Sequence, residues 1–155
     1  MQLTIKFTTM KKKLAVLFAV TILLMSATFA NANLKPSPQA LNEFKHLFTQ
    51  PTEVKWEEVS NFYKVTFIQG GQYLTAFFNP AGKIESISRN ISTSTIPLIL
   101  QKEIQNKLSS SWITECFELF GRNGTEYYIT IESANDTIVY RSNINDWDVY
   151  KKTKK

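Results

Sequence analysis

Residues 62–84 read FYKVTFIQGGQYLTAFFNPAGKI, and this stretch decides the fold. Tyr63, Val65 and Phe67 alternate with Lys64 and Thr66, a period of two that puts alternate side chains on opposite faces of a strand. Gly70-Gly71 supplies a tight turn, since glycine enters the positive-φ conformations that hairpin turns use. Tyr73 to Phe78 begins the next strand, and Asn79-Pro80-Ala81-Gly82 stops it. A hairpin with one apolar face needs a second layer to cover that face.

The neighbouring segments supply that layer. Val54 and Trp56 alternate with Lys55 and Glu57 upstream, and Ile84 to Ser92 forms a fourth strand downstream, so the four make an antiparallel meander. Before them, from Pro38 onward, Leu41, Phe44, Leu47 and Phe48 recur at helical spacing until Pro51 ends the pattern. The order then restarts. Thr95 to Leu108 reads as a helix with Ile96, Leu100, Ile104 and Leu108 on one stripe and Pro97 in its first turn. Trp112–Phe120, Tyr127–Glu132, Thr137–Arg141 and Trp147–Lys151 read as strands.

A single offset of 64 lays Tyr63–Phe67 over Tyr127–Ile131, Asn79 over Asn143, Phe44 over Leu108 and Trp56 over Phe120. The expected architecture is α+β: tandem helix-plus-four-stranded antiparallel meander units, approximately 38–92 and 95–151, in one two-layer domain spanning 33–155. Joined edge to edge, the two sheets become one continuous curved sheet whose open side is free for a partner.

The first 32 residues belong to a different grammar. Lys6 and Lys11-Lys12-Lys13 precede an apolar run from Leu14 to Met25, and Ala30-Asn31-Ala32 supplies small residues at the positions a signal peptidase reads. The expectation is a signal peptide, 1–32, cleaved after Ala32, because the apolar run is shorter than the roughly 20 residues a membrane span needs. Removing it takes four of the 18 basic residues, leaving 14 against 13 acidic ones. Lys151, Lys152, Lys154 and Lys155 account for four of the 14 and read as a frayed, solvated end, so no nucleic-acid partner is implied. Cys116 is the single cysteine, so no internal disulfide forms and the apolar core must hold the domain; a small buried thiol in a strand is the expectation.

Taken together, Phe44…Phe48, Val54-Lys-Trp56, Tyr63-Lys-Val-Thr-Phe67, Ala76-Phe-Phe-Asn79-Pro80-Ala81-Gly82-Lys83, Ile96-Pro97 and Leu98 resemble the PepSY-like family of beta-lactamase-inhibitor-like proteins. These are exported bacterial proteins frequent in Bacteroidetes. The resemblance implies a fold like the beta-lactamase inhibitor proteins (BLIP-like), a periplasmic or envelope location and no cofactor. The second half departs from the pattern at Asn143-Ile-Asn-Asp-Trp147, which lacks the glycine, and no inhibitory residue carries over.

The residues for chemistry are sparse. His46 is the only histidine, and it stands 70 positions from Cys116, so no metal-ligand spacing exists. Glu57 and Glu58 are adjacent in a strand and face opposite ways. Asp146 and Asp148 lie at a tight turn, which their side chains serve. No enzyme is expected, and no cofactor or metal. What stands out is a surplus of aromatics, with pairs such as Phe62/Tyr63, Phe77/Phe78 and Tyr127/Tyr128 in which one member must face away from the other. Trp112, Trp147, Tyr128, Tyr140 and Phe78 are the candidate protein-binding surface, an exposed concave face on which Tyr and Trp anchor a protein or peptide. The expected function is an exported, non-catalytic, inhibitor-like protein-binding module of the periplasm or envelope. The alternative is a sensory or carrier module holding a small apolar ligand between sheet and helices.

Overall fold

Helix α1 (Pro38–Leu47) opens on Ser37, whose hydroxyl accepts the Ala40 N–H at 3.2 Å, with Pro38 placed where its missing N–H costs nothing. The computed structural model describes residues 36–142 and 145–155. The expected signal peptide, 1–32, and Asn143 lie outside the described residues.

Eight strands follow in one sheet, each antiparallel to its neighbour and lying in chain order. They are β1 (Thr52–Val59), β2 (Phe62–Gln69), β3 (Gln72–Phe78), β4 (Ile84–Asn90), β5 (Trp112–Gly121), β6 (Gly124–Glu132), β7 (Asp136–Ser142) and β8 (Trp147–Lys154). A 3₁₀ turn (Thr93–Thr95) and helix α2 (Leu98–Gln105) connect β4 to β5. The architecture is α+β, helix then four strands, twice over.

Strand parity decides which face is covered. α1 sets Ala40, Phe44 and Phe48 on Val65, Phe67, Ala76 and Phe78, with Trp56, Ile84 and Ile87 around them. Phe44 is the hub: its ring meets those of Phe48, Trp56, Phe67 and Phe78 at centroid distances of 5.2, 5.3, 5.0 and 6.4 Å. α2 and the residue leading into it set Ile96, Leu100 and Ile104 on Cys116, Ile129, Ile131 and Trp147. Ile87 pairs directly with Phe120, which shares the parity of Cys116, so the two helices lie on the same face of the sheet. Between them the face is polar. Arg89 forms an ion pair with Glu118 and donates to Gln72 at 3.1 Å, while its guanidinium lies 5.9 Å from the Phe120 ring centroid.

The repeat holds with a different register from the one the sequence suggests. Val65 and Ile129 correspond across an offset of 64, but Val65 pairs with Trp56 and Ile129 with Cys116. Trp56 therefore corresponds to Cys116, not Phe120. The cause is the β5–β6 hairpin, which runs on to Gly121 and Gly124 where β1–β2 stops at Val59 and Phe62. The shorter offset carries into the helices: Ala40 matches Leu100 and Phe44 matches Ile104, all buried, whereas Leu108 lies beyond α2 and is only half-buried.

Three further expectations change. Helix α2 spans Leu98–Gln105 rather than Thr95–Leu108, because Pro97 sits at its N-cap and the preceding residues form the 3₁₀ turn. Leu47 is exposed and Ala40 takes its place in the stripe, since the β3–β4 turn packs onto the start of α1. The terminal lysines are not frayed. Lys151, Lys152 and Lys154 belong to β8, and Lys155 donates its N–H to the Asn135 carbonyl at 2.9 Å and its ammonium to Glu132 at 2.8 Å.

Candidate functional site

The face of the sheet opposite the helices carries no helix among the described residues, yet it is rich in large side chains. Its members follow from the pairing. Lys64, Phe77, Ser86 and Gly121 form one row across four strands; Thr66, Thr75, Ser88, Leu119 and Glu126 form the next. A third row runs Asn90, Phe117, Tyr128, Arg141. Phe117 and Tyr128 stack at 4.9 Å with planes 2° apart, and Tyr150 meets Tyr128 edge-on at 5.6 Å. Val139 and Leu119 complete this cluster. Alternation puts Tyr73 on the same face, and Trp112 joins it through its pairing with Glu132 beyond the β-bulge between Ile113 and Glu115; they lie at one end of the sheet and are 67% and 54% exposed.

Of the five residues singled out from the sequence, the structure brings only Tyr128 and Trp112 to this face. Tyr128 is floor rather than anchor: it is 2% exposed, and its hydroxyl donates to Glu126 at 3.0 Å. Burial, reinforced by the Glu126 charge, pushes that hydroxyl well above the usual tyrosine range. Phe78 and Trp147 are buried on the other face. Phe78 is held under α1 by Phe44 and Trp56, and the Trp147 indole N–H donates to the Leu100 carbonyl at 2.9 Å, tying β8 to α2. Tyr140 packs against the α2 core with the Lys107 ammonium 5.4 Å from its ring centroid. Neither Phe78 nor Trp147 is a surface anchor, because each is the member of its strand that the helices cover.

Sequence reasoning missed Tyr73, Phe77, Phe117 and Tyr150. The signal was present in the alternation: Tyr127, Ile129 and Ile131 form the apolar set of β6, which leaves Tyr128 on the other face with Thr130.

Exposed Trp112 has a cation beside it, the Lys155 ammonium 5.7 Å from its ring centroid. Cys116 lies on the helix side, buried, and burial together with the neighbouring Glu118 pushes its thiol up to about 11. Such a thiol is protonated and unreactive at neutral pH. His46 is exposed in the last turn of α1, and Asp146 accepts the Trp147 N–H at 2.6 Å, serving the turn. Among the described residues no group of three or more His, Cys, Asp or Glu side chains could hold a metal ion.

No family model matches the chain, and no curated protein does. Solved structures do. A BLIP-like protein from Bacteroides fragilis superposes with a TM-score of 0.64 at 16% identity, covering 79% of this chain and 89% of that one. A DUF2874 family protein from Bacteroides ovatus gives 0.68 at 12%, with the same 79% and 89% coverage. A candidate periplasmic protein from Bacteroides eggerthii gives 0.69 at 9%, covering 78% and 90%. The chain is thus an α+β protein with helices on one face of a single eight-stranded antiparallel sheet. Its fold is BLIP-like.

Proposed function

We propose that the protein is a non-catalytic protein-binding module of the periplasm or cell envelope, and that it receives its partner on the helix-free face of the sheet. The observation that carries this reading is the combination of an aromatic floor (Phe77, Phe117, Tyr128) with two exposed aromatic side chains, Tyr73 and Trp112, at its end. Large aromatics bury much area at low entropic cost, so binding energy concentrates where they are presented. The leader-like segment 1–32 and a structural neighbour described as a candidate periplasmic protein support the location. The PepSY-like motif of the first repeat is part of the same reading.

The test compares the wild type with the Tyr73→Ala/Trp112→Ala double variant as bait in envelope extract of the native host, with captured proteins identified by mass spectrometry. A defined partner held by the wild type and lost by the double variant is expected, with both baits folded. Equal recovery by both would place the interaction elsewhere. Adding the recovered partner's own activity assay then separates an inhibitor, which lowers that activity, from an adaptor, which leaves it unchanged.

A further inference from the structure

The two ends of the sheet are open. β1 pairs with β2 and β8 with β7, so each keeps one row of backbone groups that no other described strand takes up. Most residues of both strands are exposed. Their charges are opposite. β1 carries Glu53, Glu57 and Glu58 against Lys55, a net −2, and β8 carries Lys151, Lys152 and Lys154 against Asp148, a net +2. Among the described residues Glu53, Glu58, Lys151 and Lys154 form no ion pair.

Such edges refuse their own kind. A two-fold axis that set β1 on β1 would oppose acid to acid, and one that set β8 on β8 would oppose lysine to lysine. A second copy offers each edge its complement instead. Eight strands in alternating directions leave β1 and β8 running in opposite senses, so a copy carried along the sheet in the same orientation continues the antiparallel ladder with its helices on the same side. We propose that the acidic β1 edge of one copy of this chain pairs antiparallel with the basic β8 edge of a second copy. The contact is heterologous, so it leaves a free edge at each end and can add further copies.

Bulges leave 55–59 and 151–154 as the regular stretches of the two edges. Face parity then narrows the register. Glu57, opposite Lys64, and Lys151, opposite Val139, both belong to the helix-free face. Glu58 shares the helix-covered face of Trp56, as does Lys152, opposite Ile138. Setting Glu57 opposite Lys151 keeps both faces in step, places Glu58 diagonal to Lys152 and Lys55 opposite Thr153, and opposes no like charges directly. So short a ladder makes a small interface, of the kind that forms and breaks readily. The inference is independent of the reading of the helix-free face as a docking face.

Sedimentation velocity on protein purified from its native host tests the pairing, between about 10 μM and about 1 mM. The expected result is reversible association that grows with concentration and is lost in about 1 M sodium chloride, where charges are screened within about 3 Å. Glu53→Lys/Glu58→Lys reverses the β1 edge and Lys151→Glu/Lys154→Glu reverses the β8 edge, all at exposed positions without an ion pair. Each double variant alone should associate more than about tenfold more weakly, since unlike charges become like. Mixed in equal amounts, the two should associate again as alternating copies. A wild type that stays monomeric, association indifferent to salt, variants that associate as the wild type does, or a mixture that does not recover would each overturn the proposal. A second measurement uses no charge reversal: an oxidised mixture of Lys55→Cys and Thr153→Cys chains should give the mixed 55–153 disulfide in excess of either symmetric dimer, and symmetric dimers in equal or greater yield would overturn the register and the pairing with it.

Discussion

Gly71 and Gly82 occupy nearly the same backbone conformation, with φ of +76° and +78°, in wholly different surroundings, so alanine at the two positions separates strain from packing. An L-residue in the left-handed region costs about 1–2 kcal/mol, and both substitutions incur it. At Gly71 nothing lies within 4 Å of the added methyl. At Gly82 the methyl would stand 2.5 Å from Gln39 Cβ, 2.6 Å from Ala40 N and 2.7 Å from the Gln39 carbonyl carbon. Two of those three atoms are backbone, in the first turn of α1, and cannot swing aside. Relief requires shifting the helix off the sheet, and with it Ala40 and Phe44, an overpacking cost of about 1–3 kcal/mol. Gly71→Ala should therefore lose about 1 kcal/mol and Gly82→Ala about 3 kcal/mol, read by urea unfolding with unchanged m. At about 4 °C per kcal/mol for a domain of this size, the two Tm values should fall by about 4 and about 12 °C. Equal losses at the two glycines would refute the close approach of the β3–β4 turn to α1.

Other perturbations test other joints. Trp147→Phe removes the indole bond to the Leu100 carbonyl and should cost about 1–2 kcal/mol in denaturant unfolding, with no gain of reactive surface. Arg89→Ala leaves Glu118 charged and largely buried at the seam between the two repeats; because water reaches the arginine side, the expected loss is about 2 kcal/mol rather than the full cost of an isolated buried pair. The Cys116 thiol titrates near 9.0 unfolded and about 11 folded, so the unfolded chain ionises first and stability falls as pH rises from 9 towards 11. Cys116→Ala should flatten the part of that slope nearest pH 9 in a pH series of unfolding curves, leaving the part nearer pH 11 to which Tyr128, also held protonated by the fold, contributes, and iodoacetamide at pH 8 should label the wild type quickly only in denaturant. Tyr73→Ala and Trp112→Ala change exposed side chains and should each shift stability by under about 0.5 kcal/mol.

Much of the fold was legible because it rests on local patterns. Alternation located the strands, glycine and Asn-Pro-Ala-Gly located the turns, and the helical stripes marked what covers the sheet. The register between repeats was not legible from identities. The β5–β6 hairpin is extended beyond β1–β2, and nothing in Phe120-Gly-Arg-Asn-Gly124 distinguishes a strand that continues from a turn that begins early. The docking face was half legible. In Phe77/Phe78 the pair alone says that one ring faces away, not which; Ala76 shares a face with Phe78, and the close approach of α1 to the β3–β4 turn selects that face for cover. Trp147 could not be placed from sequence, because its partner carbonyl lies 47 residues away and β8 is an edge strand with a bulge against β7. The lysines of the C-terminus misled for a related reason. Charge suggested a solvated tail, but lysine is also a residue that protects an exposed sheet edge, and β8 is that edge.

Site-specific photocrosslinking in the native host tests the docking face most directly. A benzoylphenylalanine is placed singly at Tyr73 or Trp112 on the helix-free face, and at Leu98 or Ile99, which are exposed at the start of α2. A docking face opposite the helices predicts one discrete adduct, to the same partner, from positions 73 and 112 and none from 98 and 99. An adduct confined to the α2 positions would contradict it.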